Sequence, residues 1–113
     1  MLKIQVLPGF EEDLVKLPDP ETVNIARGWI RQLACQNPIA KKPLGVFKKV
    51  GDLTGTWAIK FDQPGFHNRF RLIFKYLPGD EKPTTVLLIA VGLRFEYQVY
   101  NIAVSRLRLA ILP

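Results

Sequence analysis

Lys60, Arg71, Arg94 and Tyr100 are the side chains of this sequence best suited to chemistry on a phosphodiester. They fall in the run from Thr56 to Tyr100, which reads as three strands, then Val91-Gly92-Leu93-Arg94 and a tyrosine. The same run holds no metal-ligand cluster, no serine or cysteine with a base beside it, and no phosphate loop. Cations with a phenol suit gripping an RNA phosphate while the adjacent 2′-hydroxyl attacks it. That reaction needs the hydroxyl proton removed, the charge on pentacoordinate phosphorus stabilised, and the leaving 5′-oxygen protonated. A guanidinium fits the middle task, because its planar fork stays charged and reaches two phosphate oxygens. Arg71 is given that role, with Arg94 aiding it or assisting the leaving group. Lys60 and Tyr100 both stand as candidates for the base.

Other readings stand beside these. Tyr100 shares a helical stripe with Ala103 and Leu107, which is also the pattern of a packed core aromatic. Lys60 also fits a solvated strand lysine, and Arg94 a surface cation paired with Glu96. Lys48, Lys49, Arg69, Lys75 and His67 are the further candidates for contact with RNA. Cys35 reads as a buried helix residue, and Trp29 as edge packing or an anchor for a partner.

The charge is +6 over 113 residues. Its placement matters more than its size. Residues 41 to 76 carry eight lysines and arginines against Asp52 and Asp62, while basic and acidic residues cancel elsewhere. Such a concentrated field attracts a polyanion. The lone cysteine gives no disulfide framework and fits a reducing compartment. The longest apolar run, Val86 to Gly92, is too short to cross a bilayer, and the N-terminus does not read as a signal peptide. The expectation is a cytoplasmic protein of one domain, residues 1–113, without membrane contact.

These side chains need a scaffold. Leu2 to Leu7 reads as a strand ended by Pro8-Gly9, and Gly9 to Leu17 as a short helix. Asp19 is a candidate N-cap for a second helix with Pro20 at its first position, closed by Asn37-Pro38. Ile39 to Gly55 reads as a loop. Thr56 to Phe61 and Arg69 to Tyr76 alternate as half-buried strands, Thr85 to Val91 is a central strand, and about Tyr97 to Leu109 is helical. The order β-α-α-β-β-β-α implies an α+β domain: a small, mainly antiparallel sheet packed on an N-terminal helical hairpin, with a C-terminal helix. Lys60, Arg71 and Lys75 are expected on the sheet face away from that hairpin.

Four signals carry a resemblance to a known family. They are Gly51-Asp52-Leu53-Thr54-Gly55, Arg69-Phe70-Arg71-Leu72-Ile73-Phe74, Ala90-Val91-Gly92-Leu93-Arg94, and Tyr100 followed by Ala103 and Arg106. From about Phe10 to Arg106 the chain resembles the RelE/ParE superfamily of toxins from type II toxin–antitoxin systems. The resemblance implies a RelE-like branch: an endoribonuclease that cleaves mRNA in the ribosomal A site without metal or other cofactor, held in check by a cognate antitoxin. It places the branch's lysine at Lys60, its arginines at Arg71 and Arg94, and its tyrosine at Tyr100. That branch carries a further lysine two residues before Lys60, where this chain has Ala58. The resemblance leaves open a gyrase-poisoning ParE-type activity, or a module that only binds antitoxin or RNA.

Overall fold

Pro8 and Gly9 stop the first strand and turn the chain into helix, because proline breaks the ladder and Gly9 adopts φ 97°. In the computed structural model, which describes residues 1–111, this yields β1 (Lys3–Val6) and α1 (Phe10–Val15). α2 (Pro20–Ala34) starts as its sequence dictates, with the Thr22 amide donating to the Asp19 carboxylate at 2.8 Å and proline in the first turn. The long strands β5 (Trp57–Phe61), β6 (Phe70–Leu77) and β7 (Thr85–Leu93) form an antiparallel meander. The stretch expected to be loop holds three two-residue strands: β2 (Lys42–Pro43), β3 (Val46–Phe47) and β4 (Gly51–Asp52). A two-residue alternation cannot be recognised in strands only two residues long. β2 adds an edge to the main sheet, whose order is β1-β7-β6-β5-β2, with β1 parallel to β7. β3 and β4 make a separate hairpin. The C-terminal helix α3 (Gln98–Ile111) follows a short 3₁₀ turn, Phe95–Tyr97.

The sheet buries side chains on both faces. On one, Ile59, Phe61, Phe70, Leu72 and Phe74 pack with Phe10, Leu14 and Leu33 of the helical hairpin. Fully burying each such side chain stabilises by roughly 1.5–3 kcal/mol. On the other, Ala58, Ile73, Ile89 and Ala90 pack against Val99, Tyr100, Ala103 and Val104 of α3 and against Leu44 and Leu53. This face, expected to carry Lys60, Arg71 and Lys75, is not left free for them: α3 and the β3–β4 hairpin cover its middle and leave its ends. Gly51 lets the hairpin lie close, since a Cβ there would stand 2.9 Å from Val104. Trp29 packs half-buried on the first core. Cys35, expected inside, is exposed at the end of α2, one residue beyond the apolar stripe.

β7 holds the two halves together through an irregularity. Ala90 faces Ile73 but Leu88 faces Phe74, so Ile89 is an extra residue and both Ile89 and Ala90 point into the α3-side core. Beside this bulge β1 has already ended. Asp13 of α1 and Arg106 of α3 take over that edge. Arg106 donates two bonds to the Asp13 carboxylate and one, at 2.9 Å, to the Ile89 carbonyl, while the Val91 amide donates to Asp13 at 3.3 Å. Gly9 makes room, because a Cβ there would stand 2.6 Å from the Arg106 guanidinium.

Removing one member of this mostly buried pair should be costly. Asp13→Asn or Arg106→Met is expected to destabilise by about 3 kcal/mol in urea unfolding. Hydrogen exchange at the Val91 amide should accelerate in both variants beyond the change at Leu72. Wild-type stability in both would show that the pair does not hold the edge.

Candidate functional site

Lys60 and Arg71 face each other directly across β5 and β6, so their Cβ atoms stand about 5 Å apart on the α3-side face. Arg71 in turn faces Gly92 on β7. This row of three lies near the end of the sheet, where α3 reaches Gly92 through Val99 and leaves Lys60 exposed. Lys60 is exposed and Arg71 half-buried. Arg71 folds back along its own strand: Nη1 donates to the Asn68 carbonyl at 2.6 Å and to the Phe70 carbonyl at 2.9 Å. Its Nε is buried with no partner among the described residues. The guanidinium is thus anchored by neutral oxygens, and no carboxylate within the described residues cancels its charge.

The β5–β6 turn fixes where Arg71 begins. Asp62 closes it, accepting from the Gln63 and Arg69 amides and from the Arg69 guanidinium at 2.7 and 3.0 Å. The turn is also moored to α2, because Gln63 Nε2 donates to Asp19 at 2.7 Å. Arg69 lies over the rings of Phe66 and Phe70 as well, at 4.3 and 5.1 Å. Expected as an RNA contact, Arg69 is engaged in shaping the turn. His67 stands exposed in the same turn. The Arg69 guanidinium, hydrogen-bonded to Asp62, holds that carboxyl down at about 2.

Arg94 and Tyr100 form a second cluster. The Arg94 guanidinium lies 4.2 Å from the Tyr97 ring centroid and 5.6 Å from that of Tyr100. Tyr100 stacks on Phe47 at 4.9 Å, and its residue is 5% exposed. Its hydroxyl is not among the buried polar atoms left without a partner. The body of the ring therefore belongs to the core, which corrects the picture of an open phenol standing beside the cations. Tyr97 is 40% exposed and, with Glu96, adopts a left-handed backbone that non-glycine residues seldom take. Gly92 links the two clusters, facing Arg71 in the ladder and lying against Val99, the second residue of α3.

The remaining candidates lie apart. Lys48 and Lys49 are exposed in the tight turn between β3 and β4, on the hairpin whose Phe47 covers Tyr100. Lys75 shares a face with Arg71 but sits four residues along β6, past the buried Ile73, opposite Leu87. The sequence candidates leave out Phe47 and Tyr97. The spacing gave one signal for Tyr97: it stands three residues from both Arg94 and Tyr100. Nothing local marks Phe47, which meets them only through the fold.

No protein-family model matches the chain, and no curated protein matches it in sequence. Solved structures do. E. coli toxin RelE, as a free-state mutant, superposes with a TM-score of 0.60 at 18% identity over 98% of each chain. The Mycobacterium tuberculosis RelBE2 toxin–antitoxin complex gives 0.58 at 22% identity, over 82% of this chain and 98% of that one. The YoeB/ParE toxin of Agrobacterium tumefaciens gives 0.59 at 17% identity, over 83% of this chain and all of the other. The protein thus has the α+β fold of RelE/ParE-type toxins, the toxin components of toxin–antitoxin systems.

The depressed Asp62 value sets a pH signature. Its folded value lies below that of an ordinary carboxyl near 4, so its stabilisation is complete above about pH 4 and drains away as pH falls toward 2. Carboxyl NMR titration should find Asp62 still ionised at pH 3. In Asp62→Asn the fall in stability between about pH 4 and 2 should be shallower than in wild type. An ordinary midpoint for Asp62 would show that Arg69 is not bound to it in solution.

Proposed function

We propose that the protein is the toxin of a toxin–antitoxin pair and acts as an endoribonuclease on mRNA, with the ribosome presenting the substrate in its A site. The observation that carries this reading is the Lys60–Arg71 rung: two adjacent cations at an open sheet end, neither paired with a carboxylate among the described residues. The fold shared with RelE and YoeB/ParE supports it. Arg71 holds the non-bridging oxygens of the reacting phosphate and stabilises the charge that grows there. The 2′-hydroxyl loses its proton to a base, its oxygen bonds to phosphorus, and the bond to the 5′-oxygen breaks. That oxygen takes up a proton as it leaves, and a 2′,3′-cyclic phosphate remains. Lys60, exposed beside Arg71, serves as the second cation on that phosphate. Arg94, held over Tyr97, is assigned to aid Arg71 or to assist the leaving group. Orientation by the ribosome supplies much of the acceleration, so modest groups suffice. A cytoplasmic setting and an antitoxin partner belong to the same reading. The M. tuberculosis neighbour is itself a toxin–antitoxin complex.

The packed ring of Tyr100 and the alanine at position 58 favour a second reading, a ParE-type poison of DNA gyrase without nuclease chemistry. Induction of the protein alone, followed by mapping of transcript ends and of double-strand DNA breaks, separates the two. Cleaved transcripts without DNA breaks are expected. Arg71→Ala should slow cleavage by a hundredfold or more, as for a lost transition-state donor, and Lys60→Ala by roughly a hundredfold. Tyr100→Phe is expected to retain most activity. Full toxicity in Arg71→Ala and Arg94→Ala together would remove the proposed site.

A further inference from the structure

Ala58 is a gap between lysines. In the ladder it faces Lys42 of β2, and Lys60 follows two residues along β5, so all three project from the same face. Ala58 is 2% exposed and ends at a methyl, so it makes a floor between two long side chains. The result is a hollow of about 340 Å³ at the sheet edge, lined by Ala40, Lys41, Lys42, Ala58, Lys60 and Asn68. Three ammonium-bearing side chains line it, and no carboxylate does. Lys41 is partly engaged, its Nζ 5.2 Å from the Trp57 ring and 6.0 Å from that of Tyr76. Lys42 and Lys60 form no ion pair among the described residues.

Lys42 and Lys60 are diagonal neighbours across the ladder, so their stems rise roughly 7–8 Å apart. Two ammonium groups at that spacing repel each other until an anion lies between them. A tetrahedral oxyanion over the Ala58 methyl can accept from both. A longer side chain at position 58 would fill that space, so the small residue and the flanking lysines act as one device. The hollow also adjoins the proposed reacting centre. Lys60 is shared between them, and Asn68, which lines the hollow, holds Arg71 through its carbonyl oxygen.

We infer that this hollow is a second phosphate subsite, in which Lys42 and Lys60 grip the phosphate adjacent to the one that reacts. This rests on the endoribonuclease reading. Lys42, from the edge strand, supplies the cation that position 58 lacks.

The probe is a short single-stranded RNA with every 2′-hydroxyl methylated, which binds but cannot be cut by 2′-attack. Its affinity is measured by fluorescence anisotropy across a salt series. Loss of one phosphate contact should lower the slope of log affinity against log salt by about 0.7 in Lys42→Ala. Lys42→Arg should keep the wild-type slope. Lys3→Ala, the same charge change on the opposite edge strand, should keep it too. A wild-type slope in Lys42→Ala, or an equal loss in Lys3→Ala, overturns the subsite. The two readings fail separately. If Arg71→Ala abolishes transcript cleavage while Lys42→Ala binds as wild type, the nuclease stands and the subsite falls. If Lys42→Ala loses its slope but the wild type cuts no transcript, the hollow binds RNA phosphate and its place beside a reacting centre is refuted.

Discussion

The unpaired edge of β7 is the constraint on which the structure turns. β1 is parallel to β7 and covers it only as far as Leu88, because Pro8 cannot extend the ladder. Beyond that point the Ile89 carbonyl and the Val91 amide would be left unbonded inside the molecule, which costs about as much as a lost hydrogen bond each. Asp13 and Arg106 meet both groups and each other. One ion pair therefore fastens α1, β7 and α3, and it does so beside the bulge that aims Ile89 and Ala90 at α3. Without the bulge, the apolar alternation of β7 would present a different set of side chains to each face. The open end of β7, with Gly92 and Arg94, is where it is because this edge is settled upstream.

Two covered faces explain why the cations are divided. A sheet with one open face would display Lys60, Arg71 and Lys75 as a single field. Here α3 and the β3–β4 hairpin cover the middle, so Lys75 is parted from Arg71 by buried Ile73. What remains is a row along one end of the sheet and a cation–aromatic cluster at the start of α3. A row of cations on strand ends is rigidly spaced by the ladder, which suits a substrate whose charges repeat along a backbone.

Much of this was legible beforehand, for reasons that differ by element. Strong period-two alternation placed β5 and β6, and the run Asp19-Pro20-Glu21 placed the start of α2, because both signals are local. The charge on the middle third was legible by counting. The β3–β4 hairpin was not, since its strands are two residues each and its stability comes from Phe47 and Gly51 meeting α3. Tyr100 shows the same limit in the site. Its helical stripe allowed either a packed or an open ring, and only the arrival of Phe47 from a distant turn decided for packing. Arg106 was visible as part of the family resemblance, but its partner Asp13 lies 93 residues away and no spacing connects them.

Arg69 and Arg71 show how neighbouring residues of one type part in role. Arg69 immediately precedes β6 and Arg71 is its second residue, two positions apart and on the same face by alternation. Arg69 finds Asp62, whose carboxylate has no exposed surface, and the bidentate bond cancels its charge. Arg71 finds only the carbonyls of Asn68 and Phe70, which orient a guanidinium without neutralising it. A buried Nε without a partner is unfavourable for the free protein. An oxyanion drawn to the Lys60–Arg71 row relieves the charge repulsion between the two side chains and offers the guanidinium an acceptor. The folded chain thus carries at this rung an electrostatic deficit that a phosphate is suited to remove, while the rest of the turn is already satisfied.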